Sequence, residues 1–277
     1  MTNGGTTMAA IRKHAQEGGW ELAHGYGPKV HVLDNLYLLT ALAKLSGKRI
    51  RHPEMTATLR RIYQIMMANV AGHDLPRART EEPTRMQDLH PAEGVYRGDV
   101  LDPATRIVIV DIIRAGIVPS QVCFEMLTAV LPDENVRLDH LNMARKSDAA
   151  GHVVGVDLSG SKIGGSVDGS ILLLPDPMGA TGSTTIRAID HYRRHHGKPA
   201  RVIAMPMIAT PEYLRAVLGA VEDVVIYTAR LDRGLSPSDV LAALPGERWS
   251  EERGLNEHGY IVPGAGGMGE VLNNSWC

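Results

Sequence analysis

Ile171-Leu172-Leu173-Leu174-Pro175-Asp176-Pro177-Met178-Gly179-Ala180-Thr181-Gly182-Ser183-Thr184 runs from four apolar residues, through a carboxylate, into a loop of small residues and hydroxyls. The apolar run suits a strand buried on both faces, and a helix is expected from Ser183 to His195. Small residues let the backbone approach an anion closely, and Gly182 can take a positive φ. The N–H groups of Ala180 to Thr184, the hydroxyls of Thr181, Ser183 and Thr184, and the helix N-terminus would together hold a phosphate. The helix end supplies only about 0.3–1 kcal/mol at an exposed site, so converging hydrogen bonds must do more. No Gly-Lys-Ser/Thr follows, which excludes a Walker A loop. An ordinary connection with Thr181 or Ser183 as N-cap has the same spacing. Asp176 shifts the balance, because a carboxylate ending a buried strand can accept hydrogen bonds from two vicinal hydroxyls. Phosphate and vicinal hydroxyls together describe a ribose 5-phosphate.

Outward from this stretch, strands are expected at Arg106 to Ile113, Val136 to Met143, Arg201 to Ile208 and Val224 to Ala229. Amphipathic segments at Pro119 to Leu131, Ser183 to His195 and Pro211 to Leu218 lie among them. Strands alternating with helices imply an α/β fold with a doubly wound, mainly parallel sheet, whose ligands gather at the carboxyl ends of the strands. Upstream, helical spacing is read over His31 to Leu45 and about Thr56 to Val70, and Leu75 to Leu101 reads as an arm or a long connection. Residues 1–28 are expected to form an extension, and residues 29–277 one domain.

The 277 residues are 44% hydrophobic and carry a formal net charge of −2. This leaves room for a large core but gives no electrostatic footprint for nucleic acid or a membrane surface. Two cysteines, Cys123 and Cys277, do not make a disulfide framework. With no apolar run near the roughly 20 residues that cross a bilayer, a cytoplasmic protein is expected. His191 and His195 have the spacing of a metal pair, but Arg193 and Arg194 beside them suggest a solvated basic face; no metal site is expected from this helix.

The segment Asp176-Pro177-Met178-Gly179-Ala180-Thr181-Gly182-Ser183-Thr184 resembles the 5-phosphoribosyl 1-diphosphate loop of the uracil phosphoribosyltransferases, a branch of the type I phosphoribosyltransferases. The usual type I form has two adjacent acidic residues, whereas the uracil branch has Asp-Pro, as here. Ile112-Ile113-Arg114-Ala115-Gly116 is similar to the family's Leu-Arg-Ala-Gly loop, in which the planar fork of Arg suits diphosphate oxygens. Asn142-Met143-Ala144-Arg145 falls where the family has Met-Tyr-Arg, and Gly151 to Gly169 suits a mobile lid or an exposed loop. Gly254-Leu255-Asn256-Glu257-His258-Gly259-Tyr260-Ile261-Val262-Pro263-Gly264 looks like the family's uracil-recognition segment, a C-terminal hood over the base.

The resemblance implies that Arg114, Arg145 and the loop Asp176 to Thr184 bind the donor. It also implies that Tyr260, Ile261, Gly266, Gly267 and Met268 form the base side, largely through main-chain groups. Reading a base edge with peptide groups discriminates by about 1–3 kcal/mol, the cost of a buried polar group left unpaired. By the same resemblance the reaction gives UMP, Mg²⁺ arrives chelated by the substrate, and the protein is a homodimer or higher homo-oligomer.

Two departures stand out. The family's Gly-Asp-Ala-Gly-Asp is Gly266-Gly267-Met268-Gly269-Glu270 here, so a donor-contacting Asp is replaced by Gly267 and the second acid is the longer Glu270. An insertion at about 236–255, with an amphipathic piece at Asp239 to Leu244 and Trp249, is expected beside the base pocket or at a subunit contact. These departures keep open a transferase for a different nitrogenous acceptor, or a non-catalytic regulator binding UMP or the phosphoribosyl donor.

Overall fold

A computed structural model describes residues 20–147 and 153–275, the side chains of residues 144–157 excepted. Residues 1–19 of the expected extension, residues 148–152, the Arg145 side chain and Cys277 lie outside this description. In order, the described strands are β1 (Val30–Val32), β2 (Arg77–Pro83), β3 (Val95–Leu101), β4 (Ile107–Ile113), β5 (Val136–Ser147), β6 (Val153–Lys162), β7 (Ile171–Leu174), β8 (Met178–Gly179), β9 (Arg201–Ala204), β10 (Ile208–Ala209), β11 (Val224–Thr228) and β12 (Arg230–Leu231). The helices are α1 (Leu36–Leu45), α2 (Glu54–Asp74), α3 (Ile117–Thr128), α4 (Ser183–His195), α5 (Pro211–Ala220), α6 (Ser238–Ala242) and α7 (Met268–Val271).

Seven strands form the main sheet in the order β1-β11-β9-β7-β4-β5-β6. All neighbours pair parallel except β5 and β6. The continuous apolar strands follow from burial on both faces. Ile107 and Ile109 of β4 and Leu173 of β7 join α1, α2 and α3 in one core. The alternate residues Val108, Val110, Leu172 and Leu174 join α4 and α5 in the other. Each such side chain contributes about 1.5–3 kcal/mol of transfer free energy, which is what holds the two helical layers on.

From β4 the chain winds first to β5 and β6 on one side, then to β7, β9 and β11 on the other. The sheet order therefore reverses between β4 and β7, the place where an open α/β sheet leaves a crevice beyond its carboxyl ends. A second, three-stranded parallel sheet, β12-β10-β8, continues beyond those ends.

Several boundaries differ from the sequence expectation. The helix read from His31 begins at Leu36, because Val30 and Val32 alternate inward and β1 pairs with β11. Asn35 then caps α1, its side chain accepting from Leu38 N at 3.1 Å. Within the stretch expected as extension, Tyr26 is buried and Leu22 N donates to Val32 O at 2.8 Å, so this part lies against the domain. Leu75 to Leu101 is an arm, the antiparallel hairpin β2–β3. The Gly/Ser-rich stretch read as a lid or loop instead contains β6, which pairs with β5 along residues 153–162; main-chain pairing to a neighbouring strand outweighs its low strand propensity.

Candidate active site

The loop expected to bind the donor is positioned from behind. β8 of the loop pairs with β10, matching Met178 with Ile208 and Gly179 with Ala209. Its carbonyls are used there: Ile208 N donates to Pro177 O at 3.0 Å, Thr210 N to Gly179 O at 3.1 Å, and Thr210 Oγ1 to Ala180 O at 2.6 Å. Gly182, at φ +81, turns the chain into α4, and a Cβ there would stand 2.9 Å from Val217 Cγ2. Gly182 has no side chain to cap α4, and Thr181 Oγ1 lies 3.4 Å from Ser183 N and 2.9 Å from Ser183 Oγ. The first turn of α4 also carries no acidic residue. Donors at a helix start, with the carbonyls pinned away, make an anion-ready end.

Asp176 follows β7 and is half-buried. Burial pushes the hydroxyls of Tyr63 and Tyr213 above the ordinary phenol range, and the negative charge of Asp176 adds to the effect on both. Neutral phenols therefore lie behind the carboxylate. Across the switch point, Gly116 closes the β4–α3 turn tightly: a Cβ there would come within 2.8 Å of both Ile112 N and Ile112 O. Arg114 projects from this turn, its Nη1 donating to Ser275 O at 3.1 Å and to Ser275 Oγ at 2.9 Å, with Nη2 3.9 Å from Glu270 Oε1.

The hood is a folded-back segment. Asn256 Oδ1 accepts from His258 N at 3.0 Å and Tyr260 N at 2.9 Å, Val262 N donates to Gly254 O at 2.8 Å, and Gly234 N donates to Val262 O at 3.0 Å. Glu212 on α5 accepts from Gly254 N at 3.0 Å. Tyr260, at 56% exposure, stands at the rim, whereas Ile261 and Met268 are buried.

These parts surround one cleft of about 790 Å³, within the range of small-molecule sites. It brings together Arg114, Asp176, Met178, Ala180, Thr184, Tyr260, Ile261, Gly266, Gly267 and Met268 of the expected site. Pro177, Gly179 and Gly182 are buried, and Thr181 and Ser183 are half-buried. The backbone of Arg145 is in β5, paired with Val156.

Sequence reasoning did not assign Ile113, Asn142, Met143 and Glu270 to the lining. For Asn142 and Met143 the signal available was position, at the carboxyl end of a central strand. Glu270 is the informative case. Its carboxylate turns back over Gly267 and occupies the space that any side chain at position 267 would take. The cleft therefore keeps an acid near this point, delivered from one helical turn further along the chain.

The insertion at about 236–255 does not line the cleft. It packs against the N-terminal segment and α5. Glu252, fully buried, pairs with Arg233 at 2.7 Å, accepts from Gly246 N at 2.8 Å and from the Tyr26 hydroxyl. Trp249 Nε1 donates to Pro211 O at 3.0 Å, and the Arg215 guanidinium lies 5.7 Å from the Trp249 ring centre. Asp111, at the end of β4, lies 2.7 Å from His140 Nδ1 through its Oδ2.

Residues 32–246 match the family described as Uracil phosphoribosyltransferase, well over half of the chain. The chain belongs to the uracil phosphoribosyltransferase family. A uracil phosphoribosyltransferase of Dictyoglomus turgidum is 28% identical over 243 residues, covering 88% of this chain and 98% of that protein. One from Thermosipho africanus is 30% identical over 196 residues, 69% of this chain and 78% of the relative. A solved structure of a protein from Aquifex aeolicus superposes with a TM-score of 0.65 at 22% identity, over 88% of this chain and 97% of that one. This last likeness shows the fold alone. The protein is thus an enzyme of the phosphoribosyltransferase class, with a mainly parallel α/β fold. The family match ends before the hood. Among the described residues no helix is long and apolar enough to cross a membrane.

Proposed function

We propose that this enzyme transfers the 5-phosphoribosyl group from 5-phosphoribosyl 1-diphosphate to N1 of uracil, giving UMP and diphosphate. The observation that carries the reading is the convergence of an anion-ready helix start, a ribose-side carboxylate and a peptide-lined hood on one cleft. The first turn of α4 holds the 5-phosphate, and Asp176 accepts from the ribose hydroxyls. Arg114 receives the diphosphate, exchanging its contacts with Ser275 for phosphate oxygens; Arg145 is assigned to the same group by its motif position. As the bond from ribose C1 to the diphosphate oxygen breaks, its electron pair leaves with diphosphate and C1 becomes electron-poor. The N1 lone pair of the base forms the new bond, and the N1 proton passes to solvent. The carboxylates of Asp176 and Glu270 stabilise the developing positive charge, and the hood fixes the line of attack.

Mg²⁺ suits this donor set. The cleft offers hard carboxylate oxygens from Asp176 and Glu270, and among the described residues no cluster of three metal-ligating side chains forms a protein cage. It would arrive on the donor and neutralise charge on the diphosphate. Self-association as a homodimer or larger belongs to the same proposal, since the β2–β3 arm turns Met86, Leu89 and Tyr96 outward; gel filtration with light scattering tests it. We place the enzyme in the cytoplasm.

A second reading, a different nitrogenous acceptor, is favoured by the exchange of a side chain at position 267 for the Glu270 carboxylate. Diphosphate release from donor and Mg²⁺ across a panel of bases separates the readings. Release with uracil supports the first, and release only with another base supports the second. Tight donor binding with no release from any base overturns both in favour of a regulator.

A further inference from the structure

The turn that ends the hood is gripped by one ion pair. Arg230 Nε donates to Asp232 Oδ1 at 2.6 Å and its Nη2 to Asp232 Oδ2 at 2.8 Å. The same Nη2 donates to Gly264 O at 2.9 Å, while Gly264 N donates to Asp232 Oδ2 at 2.8 Å. Both peptide groups of Gly264 are thus held by side chains. Asp232 is only 2% exposed, and Arg230 is further tied to Ser46 Oγ at 3.1 Å. Gly264 sits at φ +61, where a Cβ would run into the Ile261 carbonyl, so the turn is tight and confined to one conformation.

The pair itself is anchored to the donor side. Arg230 is in β12, which pairs with β10 so that Ile208 faces Arg230; on its other edge β10 pairs with β8, so that Ile208 also faces Met178 of the phosphate loop. Asp232 N continues the ladder to Ala209 O at 2.8 Å. Three short strands therefore form a continuous main-chain bridge, from Met178–Gly179 to the side chains that hold Gly264.

We propose that Arg230 and Asp232 are the positioning residues of the acceptor pocket, setting the direction of the Ile261, Gly266 and Met268 peptide groups relative to the donor loop. Neither residue lines the cleft, so their action runs through Gly264. The fork fixes the geometry: while Nη2 bridges the Asp232 carboxylate and the Gly264 carbonyl, Nε makes the second, parallel bond to the carboxylate and Nη1 the bond to Ser46, a set that a lysine ammonium cannot reproduce. The inference rests on the functional reading above for the identity of what the hood binds.

The test compares full-length wild type with Arg230→Lys and the isosteric Asp232→Asn. Acceptor KM and kcat, donor Kd by titration, and amide hydrogen exchange of the hood and donor-loop segments are measured. Arg230→Lys is expected to raise acceptor KM by about tenfold or more while donor Kd stays within about twofold, since misplacement of a reacting group is costly but the donor-loop hydrogen bonds bypass Arg230. Hood amides from 261 to 268 exchange faster, and those from 176 to 184 do not. Equal shifts in donor and acceptor constants, or none in either, overturn the inference. Should the wild type use no base in the panel, the functional reading fails, and the exchange data still decide: release confined to the hood upholds the positioning role, and general or absent release overturns it.

Discussion

The loop from Asp176 to Thr184 is held by main-chain pairing to β10 and by the Thr210 hydroxyl, whereas the hood from Gly254 to Glu270 is held mainly by side chains, those of Glu212, Arg230, Asp232 and Asn256. Backbone ladders tolerate most substitutions that keep small residues in place. Side-chain anchors can be exchanged one at a time by substitution.

The contrast can be broken most directly at Asp176. Asp176→Asn is expected to lower donor kcat/KM by about 100-fold, in the range for removing one preorganised charge partner, with base affinity unchanged. Steady-state kinetics varying each substrate in turn check this, and a matching loss of base affinity would erase the distinction between the two sides.

A middle-sized effect is expected at position 267. Because the Glu270 carboxylate lies in the space in front of Gly267, Gly267→Asp alone makes Glu270 shift and leaves two carboxylates in one site, and should reduce turnover about tenfold, like charges being mutually unfavourable. Gly267→Asp with Glu270→Ala should recover most of it. Turnover of uracil by the two variants checks the exchange; improvement by the single variant would show that Glu270 is not the substitute acid.

On the donor side, Gly182→Ala places a Cβ at a left-handed φ and close to Val217. It should cost roughly 1–2 kcal/mol in urea unfolding and weaken the donor more than the base.

The smallest effect lies beneath the Arg114 turn. Burial holds the Asp111 carboxyl above its ordinary range, and the hydrogen bond from His140 offsets only part of this. The folded state therefore binds the proton more tightly than the unfolded chain. Stability carries no penalty in acid and falls as the pH rises from the ordinary carboxylate range through the raised value. Asp111→Asn removes the fall, so its urea midpoint relative to wild type should improve as the pH rises above the ordinary carboxylate value of about 4. A pH-independent difference would mean that Asp111 is not the group responsible.

Much of the segment around Asp176 could be read along the chain because its determinants are local. The apolar run Ile171 to Leu174, Asp176 and Gly182 lie within twelve residues, and their spacing alone specifies a buried strand, an acid and a turn into a helix. The helical spacing expected from His31 overlaps the end of β1, because Val30 and Val32 gain their role from β11, nearly two hundred residues away. β6 leaves no clear mark for the same reason, its strand state being conferred by β5. Glu270 gave a sign in its altered motif, but not its direction.

By itself the sequence determined the alternation of elements, the parallel sheet those elements must build, and the turn of small residues from β7 into α4, since each depends on periodicity or on residues close in the chain. The tertiary structure alone decided that Arg114, Asp176 and the hood share one cleft, that Glu270 stands in for a side chain at 267, and that Arg230 and Asp232 hold Gly264. Those relations join residues far apart in sequence through directional hydrogen bonds and excluded volume. Neither leaves a periodic trace in a one-dimensional chain.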